Sequence, residues 1–241
     1  MKDTSAGATV YSSFFLNYVY DHLVYTLYTP YAWQCSPAKL RTFFANHIQQ
    51  ATARSDRVSP EPRILDIGVG TGYFLEHAPI TEETTVVLAN LNAICLDAAR
   101  SRLNKAHPGS GCQTVLADFL DEGKENVPAK LAGGDGFDSI SMMLLLHCIP
   151  GPPARKANAV IGLRHLLRPD GVLFGATILG RGVQHNPIGK FLMAWHNFQG
   201  VFSNYYDDVQ SFVGPLQEVF GEVRWEVCGT MLLFEAREPK A

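Results

Sequence analysis

The 241-residue chain has little charge, no block of like charge, no C-x-x-C pair and no long apolar run, and each shortage removes a class of function. With 20 Lys and Arg against 23 Asp and Glu, the net charge is −3, so nothing supports counterion-driven binding to nucleic acid or anionic lipid. Five scattered cysteines, Cys35, Cys95, Cys112, Cys148 and Cys228, are odd in number and lack metal-ligand spacing. They argue against a disulfide framework and a zinc site and predict a reduced, cytoplasmic protein. The most apolar stretch, Ser139 to Pro150, is too short to span a bilayer, and the opening MKDTSAGATV has no apolar core of a signal peptide. No membrane partner is expected. What is present, 46% hydrophobic residues with only 18% charged, is enough to bury a full core and excludes disorder.

Three catalytic signatures are also missing. There is no G-x-x-x-x-G-K-[ST] loop for nucleotide phosphates, no G-x-S-x-G elbow for a serine nucleophile, and no H-E-x-x-H helix for a metal. The N-terminus, by contrast, is rich in aromatics. Tyr11, Phe14, Phe15, Tyr18, Tyr25 and Tyr28 fall at spacings of three, four and seven, which predicts one face of a helix. Such a face either packs into a core or closes an aromatic wall over a site; without a Lys/Arg face, a membrane-surface helix is disfavoured. Residues 1–61 therefore read as a helical cap or lid. Ser55 to Pro62 forms its joint to the remainder.

From residue 62 short apolar runs alternate with helix-length segments, the pattern of βαβ units and a parallel sheet. Strands are predicted at Arg63 to Ile67, Thr85 to Ala89, Gln113 to Ala117, Phe137 to Leu145 and Gly171 to Ile178. Helical periodicity marks Asn92 to Leu103 and Ala154 to Leu167, with Pro169-Asp170-Gly171 as stop and turn. A second aromatic region, about residues 180–206, reads as a substrate-capping insertion and precedes a helix from about Asp207 to Phe220. Val223 to Val227 and Met231 to Ala236 then form a hairpin about Gly229-Thr230. The expected fold is a Rossmann-like, doubly wound α/β sheet of seven mostly parallel strands with an antiparallel last strand.

The segment ILDIGVGTGYFL, Ile64 to Leu75, runs from an apolar strand through Gly68, Gly70 and Gly72 into a helix. Glycines let backbone N–H groups approach a ligand closely. A dinucleotide fingerprint would place its third glycine at position 73, which is Tyr73. Asp66 puts a carboxylate at the strand end, where it repels a pyrophosphate and attracts an ammonium or sulfonium. A cationic cofactor fits this loop better than a phosphorylated one.

ILDIGVGTGYFL resembles motif I of the class I S-adenosylmethionine-dependent methyltransferases. The resemblance continues in register through LANLNAICLDAAR, ADFLD, FDSISMMLLLHCIPG and LRPDGVLFGATILG, covering roughly residues 62–180. The flanks are similar to small methyltransferases of fungal and bacterial secondary metabolism. The resemblance implies S-adenosyl-L-methionine as cofactor, with Asp66 near the methionine ammonium and Gly68, Gly70 and Gly72 beneath the methionine and ribose. It also implies that Asp118 accepts from the adenine amine beside Phe119, that Leu91 packs on the adenine, and that the backbone near Met143 lines the methionine.

Two positions depart from the family pattern. Asn90 stands where an Asp or Glu usually takes both ribose hydroxyls. Replacing a charge-assisted bond of about 1.5–3 kcal/mol by a neutral one of about 0.5–1.5 kcal/mol weakens binding around tenfold. Trp33 to Ser36 reads WQCS where the family carries Trp-Arg-Cys-Pro.

Methyl transfer needs alignment, exclusion of water and, for an O–H or N–H acceptor, one base. Of the eight histidines, His147 is the candidate because it follows the fourth strand at its carboxyl edge, where ligands bind in open α/β sheets. A packed histidine satisfied by backbone is the plainer alternative, and His185 and His196 are lesser candidates. Aromatic walls at Tyr18, Tyr28, Trp33 and Trp195 predict a small apolar or aromatic acceptor, with oxygen as the first expectation for the methylated atom. Two other readings stay open: a methyltransferase-fold cyclase, pericyclase or isomerase that binds the cofactor without transfer, and a non-catalytic binding partner. Oligomeric state is not legible.

Overall fold

The computed structural model describes residues 21–53, 61–120, 127–131 and 134–240. Tyr18 and most of the Ser55 to Pro62 joint lie outside the described residues. Seven strands form one sheet: β1 (Arg63–Ile67), β2 (Thr85–Asn90), β3 (Gly111–Leu116), β4 (Phe137–Met143), β5 (Leu167–Ile178), β6 (Phe220–Cys228) and β7 (Met231–Pro239). Their spatial order is β3-β2-β1-β4-β5-β7-β6, with β7 antiparallel to both neighbours and all other pairs parallel. The expected mostly parallel sheet with an antiparallel last strand is borne out.

Period-two alternation explains why this sheet is buried on both faces. Along β2, Val86 and Leu88 enter one apolar cluster while Val87 and Ala89 enter the other, and Ile64 and Leu65 divide likewise along β1. Each fully buried aliphatic side chain contributes roughly 1.5–3 kcal/mol by leaving water. The first face is covered by helices α2 (Pro37–Thr52) and α4 (Ala93–Ala106), and short α3 (Tyr73–Glu76) follows the glycine loop. The second is covered by α6 (Pro153–Gly162) and α8 (Val209–Val219); α5 (Val127–Leu131) is a single turn. Helix α2 packs Phe44 edge-on against Phe174 of β5 at 5.6 Å, so it shares the sheet's core.

Several boundaries differ from expectation for local reasons. Leu163–Leu166 winds as a tighter 3-10 turn, ending α6 at Gly162. Strand β4 stops at Met143 because Leu144 takes a left-handed φ of 57°. Strand β5 begins earlier than Gly171. Leu167 pairs with Phe137 and Val172 with Ser139, so Arg168 to Gly171 bulge out between them, and Pro169-Asp170-Gly171 makes an excursion within a strand.

Two further helices overhang the carboxyl edge of the sheet. α1 (His22–Ala32) is wound wide in π fashion, and Trp33 N–H donates to the carbonyl of Tyr28 at 2.9 Å. α7 (Pro187–Phe198) lies in the expected capping insertion. The Asn186 amide holds the two helices together by donating to the Tyr31 carbonyl at 2.7 Å. A fully buried ion pair, Lys156 Nζ to Asp207 Oδ2 at 2.6 Å, fastens the insertion to α6, with Nζ also donating to the Ser203 carbonyl. None of the described helices is long and apolar enough to cross a membrane.

Candidate active site

An open cleft of about 170 Å³ lies at the carboxyl ends of β1, β2 and β4, where the sheet order reverses direction. Its floor is the glycine loop. Gly68, Gly70 and Gly72 all have positive φ, of 73°, 52° and 76°, but they do different work. A Cβ on Gly70 would meet nothing within 4 Å and would stand in the cleft. A Cβ on Gly72 would press on the Ala99 backbone of α4 at 3.0 Å; this glycine does not border the cleft and allows α4 to pack close.

Asp66 ends β1 beside the cleft, buried, and register pairs it with Ser141 of β4, whose hydroxyl donates to its carboxylate at 2.6 Å. Burial pushes its carboxyl up to about 7, partly offset by the Ser141 hydrogen bond. A buried carboxylate in such a cleft is a receptor for a cation. Asn90, Leu91, Asp118, Phe119 and Met143 border the same cleft. Asn90 Oδ1 already accepts from the Asn92 N–H at 2.9 Å, and Asp118 Oδ1 from the Leu120 N–H at 2.9 Å. Open space over Gly70, a buried acid on one side and apolar walls on the other fit a ligand with a cationic end and a flat apolar end.

The overhanging helix closes one side. Tyr25 of α1 borders the cleft and stacks on Tyr73 at 3.7 Å, with its ring edge-on to Phe74. Ahead of it, Asp21 accepts from the Thr71 hydroxyl in the glycine loop at 2.7 Å and pairs with Arg102 of α4 at 2.5 Å. Arg102 in turn pairs with Glu76 at 2.6 Å. Sequence reasoning missed Tyr25, Ser141, Leu144 and this clasp. The two serines in the otherwise apolar run SISMM were the available signal for Ser141; Leu144 carried none.

Four expected residues lie elsewhere. His147 is 4% exposed and does not border the cleft. Its Nδ1 is within 3.4 Å of the Ile178 N–H and its ring meets Phe202 edge-on at 4.6 Å. Burial, with Lys156 and His196 nearby, pushes its pKa down to about 3, so it stays neutral and is a weak base at neutral pH. The expectation that His147 is the general base is corrected accordingly: its place is that of a packed histidine. Trp33 is buried against His185 and Phe202, a core residue beneath the insertion. Trp195 stands about half exposed, stacked on Phe191 on the outside of α7. Tyr28 lies edge-on to His196 at 5.8 Å and away from the cleft.

Solved structures with this fold include the CurJ carbon methyltransferase, with a TM-score of 0.63, 17% identity and coverage of 95% of this chain and 62% of that one. DhpI in complex with SAH gives a TM-score of 0.58 at 14% identity, over 98% of this chain and 95% of that one. At such identities the likeness is one of fold, and the fold is that of methyltransferases. No protein-family model matches the chain. Full-length relatives carry the assignment further. Methyltransferase verB of Penicillium polonicum is 36% identical over 97% of this chain and 98% of its own length. The physcion biosynthesis cluster O-methyltransferase of Aspergillus chevalieri is 34% identical over 100% of this chain and 98% of its own. The chain belongs to the class I S-adenosylmethionine-dependent methyltransferases, alongside the small methyltransferases of fungal secondary metabolism. It is a methyltransferase, and its cofactor is S-adenosylmethionine.

Proposed function

We propose that the enzyme methylates an oxygen of a small, largely apolar or aromatic natural-product acceptor, in the cytoplasm, with the donor seated in the cleft over Gly68 and Gly70. The observation that carries this reading is the buried Asp66 carboxylate beside the open space at Gly70. S-adenosylmethionine supplies a methyl group activated by a positively charged sulfur. Asp66 pairs with the methionine ammonium, Asn90 accepts from a ribose hydroxyl, and Asp118 accepts from the adenine amine. Leu91 and Phe119 enclose the adenine, and the backbone at Met143 runs beside the methionine. Gly72 serves by letting α4 approach. Tyr25 keeps water from the methionine end, so the electrostatic attraction of Asp66 acts in a medium less polar than bulk solvent.

Transfer to oxygen draws its support from relatives named for it, including the Aspergillus chevalieri protein and O-methyltransferase NEC2 of Pyricularia oryzae, 31% identical over 98% of this chain. A phenolic acceptor also suits the site. Phenols ionise near pH 10, far more readily than alcohols, and so need little help from a base. Among the described residues that line the cleft there is no histidine.

The test is incubation with methyl-labelled S-adenosylmethionine and a panel of phenols, alcohols, amines and apolar hydrocarbons. Label appearing as an O-methyl ether on a phenol supports the reading. An unlabelled isomer formed only with the protein, or label on nitrogen or carbon, overturns it.

A further inference from the structure

His196 lies on α7 with both ring nitrogens sealed from solvent and without a hydrogen-bond partner among the described residues. Buried polar groups are nearly always paired, so a histidine with two orphaned nitrogens asks for a partner from outside the described residues. Its surroundings narrow the chemistry. Tyr28 of α1 stands edge-on over it at 5.8 Å, and Phe202 lies tilted against it at 4.7 Å while also touching His147. The backbone on either side is firmly held, because the N–H groups of Val201 and Phe202 both donate to the His196 carbonyl. The ring is thus presented by rigid structure in an aromatic setting, one helical turn along α1 from Tyr25 at the mouth of the cleft.

From this we infer that His196 is the recognition group for a hydroxyl of a flat aromatic acceptor, which enters between Tyr28 and Phe202 when α1 lifts from α7. This rests on the proposed function and names the class of acceptor for that reaction, held at a subsite beside the donor cleft rather than within it. Desolvation lowers the pKa of the ring, so the imidazole is neutral and offers one acceptor nitrogen and one N–H donor. It accepts from a phenolic O–H at one nitrogen and donates to a second oxygen at the other. The two nitrogens diverge across the ring and cannot share one small group, so the preferred acceptor carries oxygens at more than one position. His196 is a positioning residue in this account and removes no proton. Discrimination against an analogue lacking the hydroxyl follows because that analogue leaves the buried nitrogen unpaired.

The test uses the full chain saturated with S-adenosylhomocysteine and, as probes, a dihydroxynaphthalene and its dimethyl ether, measured by calorimetry. Wild type is expected to bind the diol at least tenfold more tightly than the diether. In His196→Phe that preference collapses to within about twofold while S-adenosylhomocysteine affinity is unchanged; His196→Gln, with a donor and an acceptor, retains most of it. Long-range proton-nitrogen spectra of the histidine rings provide a readout that a merely structural role would not move. The resonances lost in His196→Phe shift when the diol is added to wild type. Wild type without preference, an unchanged preference in His196→Phe, or silent His196 nitrogens each overturn the inference. If S-adenosylhomocysteine itself fails to bind wild type, the donor reading falls instead.

Discussion

The Ser141 hydroxyl donates to the Asp66 carboxylate at 2.6 Å, joining β4 to β1 where both strands reach the cleft. This bond favours the ionised carboxylate against burial, which disfavours it. A donor ammonium binds the ionised form. Above about pH 7 the carboxylate is already charged; below it, binding must first release a proton. Donor affinity is therefore expected to fall by up to about tenfold per pH unit below that point and to level off above it. Calorimetry with S-adenosylhomocysteine from pH 5 to 9 checks the slope. In Ser141→Ala the break moves to higher pH, and in Asp66→Asn it disappears with weaker affinity throughout.

Gly70 and Gly72 are two residues apart in sequence but differ in surroundings: a Cβ on the first would stand in the open cleft, a Cβ on the second would meet helix α4. Gly70→Ala is expected to fold, with backbone strain of roughly 1–2 kcal/mol from its left-handed φ, and to lose donor affinity at least tenfold. Gly72→Ala carries the same strain and in addition forces α4 outward, so the main loss is in stability. Paired urea denaturation and calorimetry separate the two. Equal donor affinity in Gly70→Ala and wild type would remove the donor from this loop.

Asp21 clasps α1 to the glycine loop through Thr71 and to α4 through Arg102. The partners are only partly buried, so the clasp contributes modestly, about 1 kcal/mol. Asp21→Ala is expected to accelerate release of S-adenosylhomocysteine about fivefold, the rate equivalent of that energy. Stopped-flow fluorescence measures it. An unchanged release rate would mean that α1 does not gate the donor.

His147 is neutral and enclosed, and a general base contributes about 100- to 10,000-fold. Turnover of His147→Gln at pH 7.5 is expected within about tenfold of wild type. The stability effect carries a definite sign. The unfolded imidazole titrates near 6.5 and the folded one near 3, so the unfolded state binds the extra proton. Wild type draws full benefit above pH 6.5 and loses it as pH falls toward 3. The stability gap between wild type and His147→Gln should narrow across that window, as thermal melts at stepped pH would record.

Local signals made much of the fold readable. Strands β1 and β2 are apolar runs bounded by polar turns, and both appear within a residue of their expected limits. What local signals could not supply was pairing. Pro169-Asp170-Gly171 read as a turn and do bulge, together with Arg168, yet only the register of β4 against β5 makes them part of a strand. The cleft divides the same way. Asp66, Gly68 and Gly70 announced themselves in one contiguous motif, whereas Ser141 joins Asp66 only because β1 pairs with β4. Aromatic residues were the least informative, because a core and a pocket use the same side chains. Trp33 went to the core, Trp195 to the surface, and Tyr25, passed over, to the cleft.

The central claim is that S-adenosylmethionine lies across the glycine loop with its amino group against Asp66. A crystal structure of the chain with S-adenosylhomocysteine tests it most directly. The account predicts the ligand over Gly68 and Gly70, its ammonium within hydrogen-bonding distance of the Asp66 carboxylate and its ribose beside Asn90. A ligand bound elsewhere, or a cleft left vacant at saturating concentration, would contradict it.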